Sequence, residues 1–361
     1  MINQTLNILL LADGPSIHTV RIAQYFIEKG YRVDLITFRK CKDSIFSNVF
    51  HINVGDIKEH GNNFQYIFGL PKIYRVVKSK KYDLVFAIYL TSYGLIATMF
   101  FKDFFLYVFG TDVKVTARKN LFYFLLTKFV LSRTRHIFSV AEHVTQVITQ
   151  KFKISKNKIT TLEYGIDLSK YNSRIPFNKR SNDIITNRAF IKNSNYPFII
   201  EILREIKKLY PALKAIIFGH GPLKEEIERI IEKYQLHENI RLLGIQNEQN
   251  VIDLLNDSKI YLSLPTSDGA SLSVMEALAC GNYPIVSDIE ANHEWVIENE
   301  NGSFIPLYDV NKAVASILKV LSDKYPNNFY ATSKKIMHKK GDYYKNMNII
   351  ESIMLEKKSK Y

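Results

Sequence analysis

The residues best suited to chemistry lie in one stretch, Ser263-Leu-Pro-Thr-Ser-Asp-Gly-Ala-Ser-Leu-Ser-Val-Met-Glu-Ala-Leu-Ala-Cys-Gly-Asn-Tyr-Pro-Ile-Val286. An apolar strand ends near Pro265, a small polar loop holding Gly269 follows, and a helix is predicted to start around Ser271 to Ser273. Free backbone N–H groups and the helix dipole at such a start favour phosphate or another anion. Asp268 sits in the loop and Glu276 one to two turns into the helix, so both carboxylates can face one cleft. A plainer reading makes Asp268 a helix-entry cap and Glu276 part of a solvated face. Capping accounts for an Asp and a Ser here, but not for an apolar helix that carries Glu276 inward.

Strand-like and helix-like runs alternate through the chain, the pattern of α/β proteins whose parallel sheets are covered by helices. In the first half the predicted strands are Asn7 to Leu11, Val33 to Thr37, Leu84 to Ile88, Phe105 to Phe109, His136 to Val140 and Ile159 to Leu162. Between the first two lies a helix in which Ile17, Val20, Ala23, Phe26 and Ile27 share a face, stopped by Gly30. Polar, irregular sequence from Asp167 to Ser181 leads to a second run beginning near Asp183. Its predicted strands are Ala215 to Phe218, Ile240 to Leu243, Ile260 to Leu264, Tyr283 to Val286 and Phe304 to Pro306, with helices at Pro222 to Tyr234, Val251 to Asp257 and Leu272 to Ala279. The expected fold is α/β with two Rossmann-like domains, residues 1–170 and 171–330, and a helical tail, residues 331–361, that packs back across both. Two such domains facing each other form a cleft at the carboxyl ends of their strands, where α/β sheets place their ligands.

A chain of 361 residues exceeds what one hydrophobic core usually organises, and 47% hydrophobic with 23% charged residues excludes a disordered protein. Cys41 and Cys280 lie in unrelated segments without metal-ligand spacing, so a reducing compartment, no disulfide and no metal are expected. The apolar run Leu6 to Ala12 lacks the basic flank and length of a secretory leader. Leu84 to Phe101 carries no charge over a length that could span a bilayer, but Thr91, Ser92, Tyr93 and Gly94 split it into a strand and a helix. A cytoplasmic protein is the expectation.

The net charge of +14 calls for an anionic partner. No helix-turn-helix, zinc-finger or aromatic RNA-binding pattern is present, so nucleic acid is not expected. Thr116 to Arg135 mixes Arg118, Lys119, Lys128, Arg133 and Arg135 with Leu121, Phe122, Tyr123, Phe124, Leu125 and Leu126. A basic, aromatic-rich helix of this kind lies in a lipid interface, and it predicts peripheral attachment to the anionic inner face of a membrane. The alternative is a half-buried helix with solvated cations.

Asp268, seven intervening residues, Glu276, the small-residue segment Ala277 to Gly281 and then Pro284 resemble the hallmark of the retaining nucleotide-sugar glycosyltransferases of family four, which have the two-Rossmann-domain fold called GT-B. The resemblance implies that Asp268, where Glu is usual, contacts the donor sugar and that Glu276 contacts the nucleotide ribose. Ile185 to Arg188, through Lys192 and Asn193, looks like the segment whose Arg and Lys grip the donor diphosphate, a task that suits a planar fork and a point charge. Phe218-Gly-His-Gly-Pro222 resembles the family's strand-turn-helix turn, and Leu243 to Gln246 falls where the nucleotide base is held by backbone groups. In the first domain, Ala12-Asp-Gly14 and His18 resemble the loop over the donor phosphates, where Gly14 permits close approach. Phe109-Gly-Thr-Asp112 resembles a loop in which relatives place His before the Gly, and Asp112 and His18 are acceptor-side candidates. Tyr164-Gly-Ile-Asp167 matches the tetrapeptide before the linker, near residue 170.

By this resemblance the chain is expected to move a sugar, with retention and without a metal or other cofactor, from a nucleotide-sugar to a glycan or lipid-linked acceptor. The expected donor site is Asp268, Glu276, Arg188 and Lys192, with Gly14, Ser271, Leu272, Ser273, Leu243 and Gln246 around it. A phosphorylase of the same fold and a non-catalytic binding module for nucleotide-sugar or nucleic acid are the rivals. A dinucleotide oxidoreductase is disfavoured because no G-x-G-x-x-G opens either domain.

Overall fold

The computed structural model describes residues 6–41, 45–55, 65–110, 113 and 120–358. Two compact units are present: Met1–Tyr164 with Tyr344–Tyr361, and Gly165–Tyr343.

The first unit is built on a seven-stranded sheet of order β3-β2-β1-β4-β5-β6-β7. The strands are β1 (Asn7–Leu11), β2 (Arg32–Thr37), β3 (Asn48–His51), β4 (Leu84–Ile88), β5 (Phe105–Val108), β6 (His136–Ser139) and β7 (Ile159–Thr161). All pairings are parallel, with Leu10 opposite Leu35 on one side and opposite Phe86 on the other. Strands buried on both faces need continuous apolar runs, and Ile8 to Leu11 and Phe105 to Val108 are buried throughout. The edge strand β3, Asn-Val-Phe-His, is short and largely exposed, so it carries no such run and escapes the sequence pattern.

The first helix, α1 (Ile17–Glu28), stops as expected at Gly30, which has φ +84°. Its buried face is Thr19, Ile22, Ala23, Tyr25 and Phe26, rotated from the expected one, and Ile17 is exposed. The uncharged segment 84–101 is divided into β4, a π-turn at Leu90–Gly94 and α3 (Leu95–Phe100), with α2 (Tyr66–Ser79) before it. Among the described residues no helix is long and apolar enough to cross a membrane. α4 (Leu121–Arg133) buries Thr127, Val130 and Leu131 and leaves Leu121, Phe122, Leu125 and Phe129 exposed. After α5 (Glu142–Phe152) and β7 the chain leaves this unit, and it returns at Tyr344. The returning helix is tied to α1 and its flank by the hydroxyls of Tyr25 and Tyr31, each donating to Glu351 at 2.5 Å, and beyond it Lys358 pairs with Asp83 at 2.8 Å.

The second unit holds a six-stranded parallel sheet of order β10-β9-β8-β11-β12-β13. Its elements run β8 (Asn182–Thr186), α6 (Tyr196–Leu209), β9 (Ala215–Phe218), α7 (Lys224–Lys233), β10 (Ile240–Leu243), α8 (Glu248–Asn256), β11 (Ser258–Ser263), α9 (Leu272–Ala279), β12 (Tyr283–Ser287), β13 (Ser303–Ile305), α10 (Val310–Leu321) and α11 (Phe329–Ile336). Alternate strand residues serve opposite faces, as the pleat requires. Ile184, Ile217, Ile260, Leu262 and Ile285 pack with α6, α7 and α10, whereas Ile185, Ile216, Tyr261 and Val286 pack with α8 and α9. The helical sequence after residue 327 is thus divided, with α11 in this unit, where Phe329 joins the core, and Tyr344 onward in the first.

Candidate functional site

In the second sheet the strand order reverses between β8 and β11, which pair directly, with Ile185 opposite Tyr261. Loops leaving adjacent strands at such a point diverge and open a crevice for a ligand. β8 delivers Asn187 and Arg188, and β11 delivers the loop to Ser271 and then α9.

Arg188 is the centre of this group. Its side chain is 14% exposed, and its Nη2 lies 2.9 Å from Oδ2 of Asp268, which is 16% exposed. Nη1 donates to Ser271 Oγ at 3.2 Å and to Ser263 Oγ at 3.5 Å. The Tyr196 hydroxyl pins the backbone, accepting from Arg188 N at 3.1 Å and donating to Arg188 O at 2.7 Å. Burial pulls the guanidinium pKa down, but the charge and hydrogen bond of Asp268, together with the Tyr261 and Tyr196 hydroxyls, outweigh it and hold the group above its ordinary value. Among the described residues the buried Nε has no hydrogen-bond partner.

Two devices hold this arrangement. Asn193 clamps the acidic loop: its Oδ1 accepts from Thr266 Oγ1 at 2.7 Å and Ser267 N at 3.1 Å, and its Nδ2 donates to Ser267 O at 2.7 Å. The Gly-His-Gly turn after β9 supplies the second. A Cβ on Gly219 would sit 2.4 Å from Arg188 O, and one on Gly221 2.4 Å from Phe190 O, at φ values of +153° and +155°. Only glycine lets that turn approach the backbone carrying Arg188.

Asp268 does not cap the helix. Its Oδ1 accepts from Gly269 N at 2.8 Å, and the N-cap position belongs to Ser271, whose side chain makes no capping bond. Ser271 O accepts from Val274 N and Met275 N, so the amides of half-buried Leu272 and Ser273 precede the first intrahelical bonds. The apolar residues Val274, Met275, Ala277 and Leu278 bury α9 and carry Glu276 inward, where it is 8% exposed and not part of a solvated face.

Tyr261 links the two halves of the site and was absent from the expected set. Wholly buried on β11, it donates to Asn187 Oδ1 at 2.7 Å. Burial pushes its hydroxyl up to about 12, with Glu276 adding to the rise and Arg188 and a Ser273 hydrogen bond opposing it. The available signal was a tyrosine within a buried strand, since such a hydroxyl must find a partner.

Other expected residues stand apart from this group. Lys192 is exposed on the turn Lys192–Ser194, and no ion pair or hydrogen bond joins its side chain to Arg188 or Asp268. Leu243 ends β10 half-buried, and Gln246 lies beyond it, donating to Gly244 O at 3.2 Å and accepting from Asn250 Nδ2 at 3.2 Å. In the first unit Gly14 N donates to Thr37 Oγ1 at 2.9 Å, and a Cβ there would meet Cys41 Cβ at 2.9 Å. His18, half-buried in the first turn of α1, has Nδ1 2.9 Å from the Tyr164 hydroxyl and its ring 4.5 Å from that of Phe109. Phe109 in turn packs on Tyr89, whose φ of +76° is unusual for a bulky residue. Asp112 lies outside the described residues.

Residues 169–336 match the family described as glycosyl transferases group 1, and residues 7–141 match the family described as glycosyl transferase 4-like. The chain is 28% identical over 169 residues to the UDP-N-acetylglucosamine–peptide N-acetylglucosaminyltransferase GtfA subunit of Streptococcus agalactiae, covering 46% of this chain and 33% of that protein. It is 26% identical over 244 residues to the N-acetylgalactosamine-N,N'-diacetylbacillosaminyl-diphospho-undecaprenol 4-alpha-N-acetylgalactosaminyltransferase of Campylobacter jejuni, covering 64% of each. The chain thus spans from a third to somewhat under two thirds of the length of these relatives. In fold it is similar to Anabaena HepE, solved with UDP and glucose, with a TM-score of 0.77 at 14% identity over 96% of this chain and 99% of that one. Each unit thus matches a glycosyltransferase family, group 1 in the second and 4-like in the first, and the chain has the fold called GT-B.

Proposed function

We propose that the chain transfers a sugar, with retention at the anomeric carbon, from a nucleotide-sugar to a glycan or lipid-linked acceptor. The observation that carries this reading is the Arg188, Asp268 and Ser271 group at the open first turn of α9, a cationic and amide-lined place for a diphosphate. In this proposal the C1–O bond to the diphosphate breaks and its electron pair leaves with the phosphate. The acceptor hydroxyl oxygen attacks from the same face and passes its proton to the departing phosphate oxygen. Arg188, with Lys192 second, and the amides of Leu272 and Ser273 stabilise the departing charge, so no metal is required. Asp268 orients the sugar, Glu276 the ribose, and the Leu243 to Gln246 segment the base. Gly14 approaches the phosphates, while His18 and Asp112 serve the acceptor.

The two curated relatives are named for transfer of N-acetylated hexosamines, one from UDP and one onto a polyprenyl diphosphate-linked sugar. The first supports a UDP-sugar donor and the second a lipid-linked acceptor. A thermal-shift screen of nucleotide-sugars identifies the donor, since a ligand of the folded state alone raises the midpoint. Product configuration is then read by NMR, with and without a chelator. An inverted product, a chelator-sensitive reaction, or sugar release that consumes phosphate and no nucleotide would each overturn the matching part of the proposal.

A further inference from the structure

The crossovers from β3 to β4, β4 to β5 and β5 to β6 all step the same way across the first sheet. Right-handed connections therefore set α2, α3 and α4 on one face, where α3 packs against both neighbours. On α4, Leu121, Phe122, Leu125 and Phe129 are each more than half exposed. At 100° per residue they fall within one arc, opposite the buried Val130. Phe68 of α2 and Met99 of α3 extend the apolar surface, also more than half exposed.

The charge on these helices has one sign. They carry Lys72, Arg75, Lys78, Lys128 and Arg133 and not one Asp or Glu. By contrast α7, on the second unit, holds Glu225, Glu226, Glu228 and Glu232. Apolar side chains that cost free energy in water, flanked by cations with no carboxylate among them, fit a surface that is oily beneath and anionic at its phosphates. A helix that follows a strand of a parallel sheet runs back along it, so its first turn lies at the strand's carboxyl end. Phe68, Leu121 and Phe122 stand in such first turns, at the same end of the sheet as Gly14 and His18.

We propose that the α2–α3–α4 face docks on an anionic lipid bilayer, with Phe122, Leu125 and Phe129 among the acyl-chain boundaries and the five cations against lipid phosphates. Delivery of a lipid-borne acceptor to the neighbouring loops rests on the function proposed above; the docking itself does not. Flotation of the full chain, without nucleotide, on phosphatidylcholine vesicles with and without phosphatidylglycerol tests it. The wild type should float with the anionic vesicles and be released as salt rises. Phe122→Ser with Phe129→Ser should lower the partition coefficient about tenfold or more, and Lys128→Glu with Arg133→Glu should do the same, with thermal midpoints unchanged because these side chains lie outside the core. Equal flotation on neutral vesicles, or full flotation of both folded variants, would overturn the proposal. So would a wild-type dimer in sedimentation velocity that the Phe variant dissociates and that binds no vesicle, since the face would then belong to a second copy. Transfer to a soluble acceptor, assayed separately, reports on the glycosyltransferase reading and not on this surface.

Discussion

Asp268→Asn keeps the side chain's size and removes the charge that faces Arg188. At the observed 2.9 Å, an effective dielectric of about 20 puts the attraction at about 6 kcal/mol, an upper figure. Breaking a buried pair costs about 3–5 kcal/mol. With side chains 14% and 16% exposed, water screens part of the interaction and Asn retains a neutral acceptor, so about 2–3 kcal/mol of the second unit's stability should be lost. At about 2–4 °C per kcal/mol that is a fall of roughly 5–10 °C in the unfolding midpoint of that unit, resolved by scanning calorimetry. A nucleoside diphosphate supplies a replacement anion for the released guanidinium. It should therefore raise the midpoint of the mutant more than that of the wild type, while donor turnover falls on the order of 10²-fold. A midpoint change below about 1 °C, or equal stabilisation of both proteins by the diphosphate, would refute the pairing and its competition with ligand.

Arg188→Ala should weaken binding of the free nucleoside diphosphate by roughly 1.5–3 kcal/mol in titration calorimetry, and an unchanged affinity in the folded mutant would remove Arg188 from the site. Gly219→Ala forces a Cβ to 2.4 Å from Arg188 O at φ +153°, and should cost about 2–3 kcal/mol in urea denaturation and weaken nucleotide binding with it. Gly244→Ala, with nothing within 4 Å of the added Cβ, should stay within about 0.5 kcal/mol of wild type, and equal effects would mean that the close approach does not matter. His136 is held down to about 4, chiefly by burial and further by Lys357 and Lys158. A folded pKa below the unfolded value of about 6.5 means that its contribution is complete above that pH and is lost as pH falls toward 4. About 1 kcal/mol should disappear between pH 7 and pH 5 after allowance for solvent, and a His136→Gln variant with the same pH slope would show that other groups carry it.

Much of the fold was legible because buried parallel strands advertise themselves. β1, β4, β9, β10 and α9 fall where the apolar runs and the helix pattern put them. Where the residues are polar or exposed the signal fades: β3 is a short exposed edge, and β11 begins at Ser258, buried but polar, ahead of its first apolar residue. α1 shows a different failure, because helical spacing identifies an apolar stripe but not which edge of it meets the sheet, and Ile17 ended in solvent. In the site, the spacing of Asp268 and Glu276 and the open start of α9 were visible from local composition. The pairing of Asp268 with Arg188, the clamp by Asn193 and the link through Tyr261 were not, since each joins segments remote in the chain.

The sequence by itself determined two runs of strands and helices, a polar separating segment from Asp167 to Ser181, and an anion-ready loop and helix between β11 and β12. These follow from periodicity, capping and turn chemistry, which act among neighbouring residues. Tertiary structure decided that β8 lies beside β11, which brings Arg188 to Asp268 and Asn187 to Tyr261, and that residues from Tyr344 onward complete the first unit. It also decided which side of α4 met the core and which was left to solvent, because a helix that is apolar all round carries no preference of its own and takes the face that its neighbours offer.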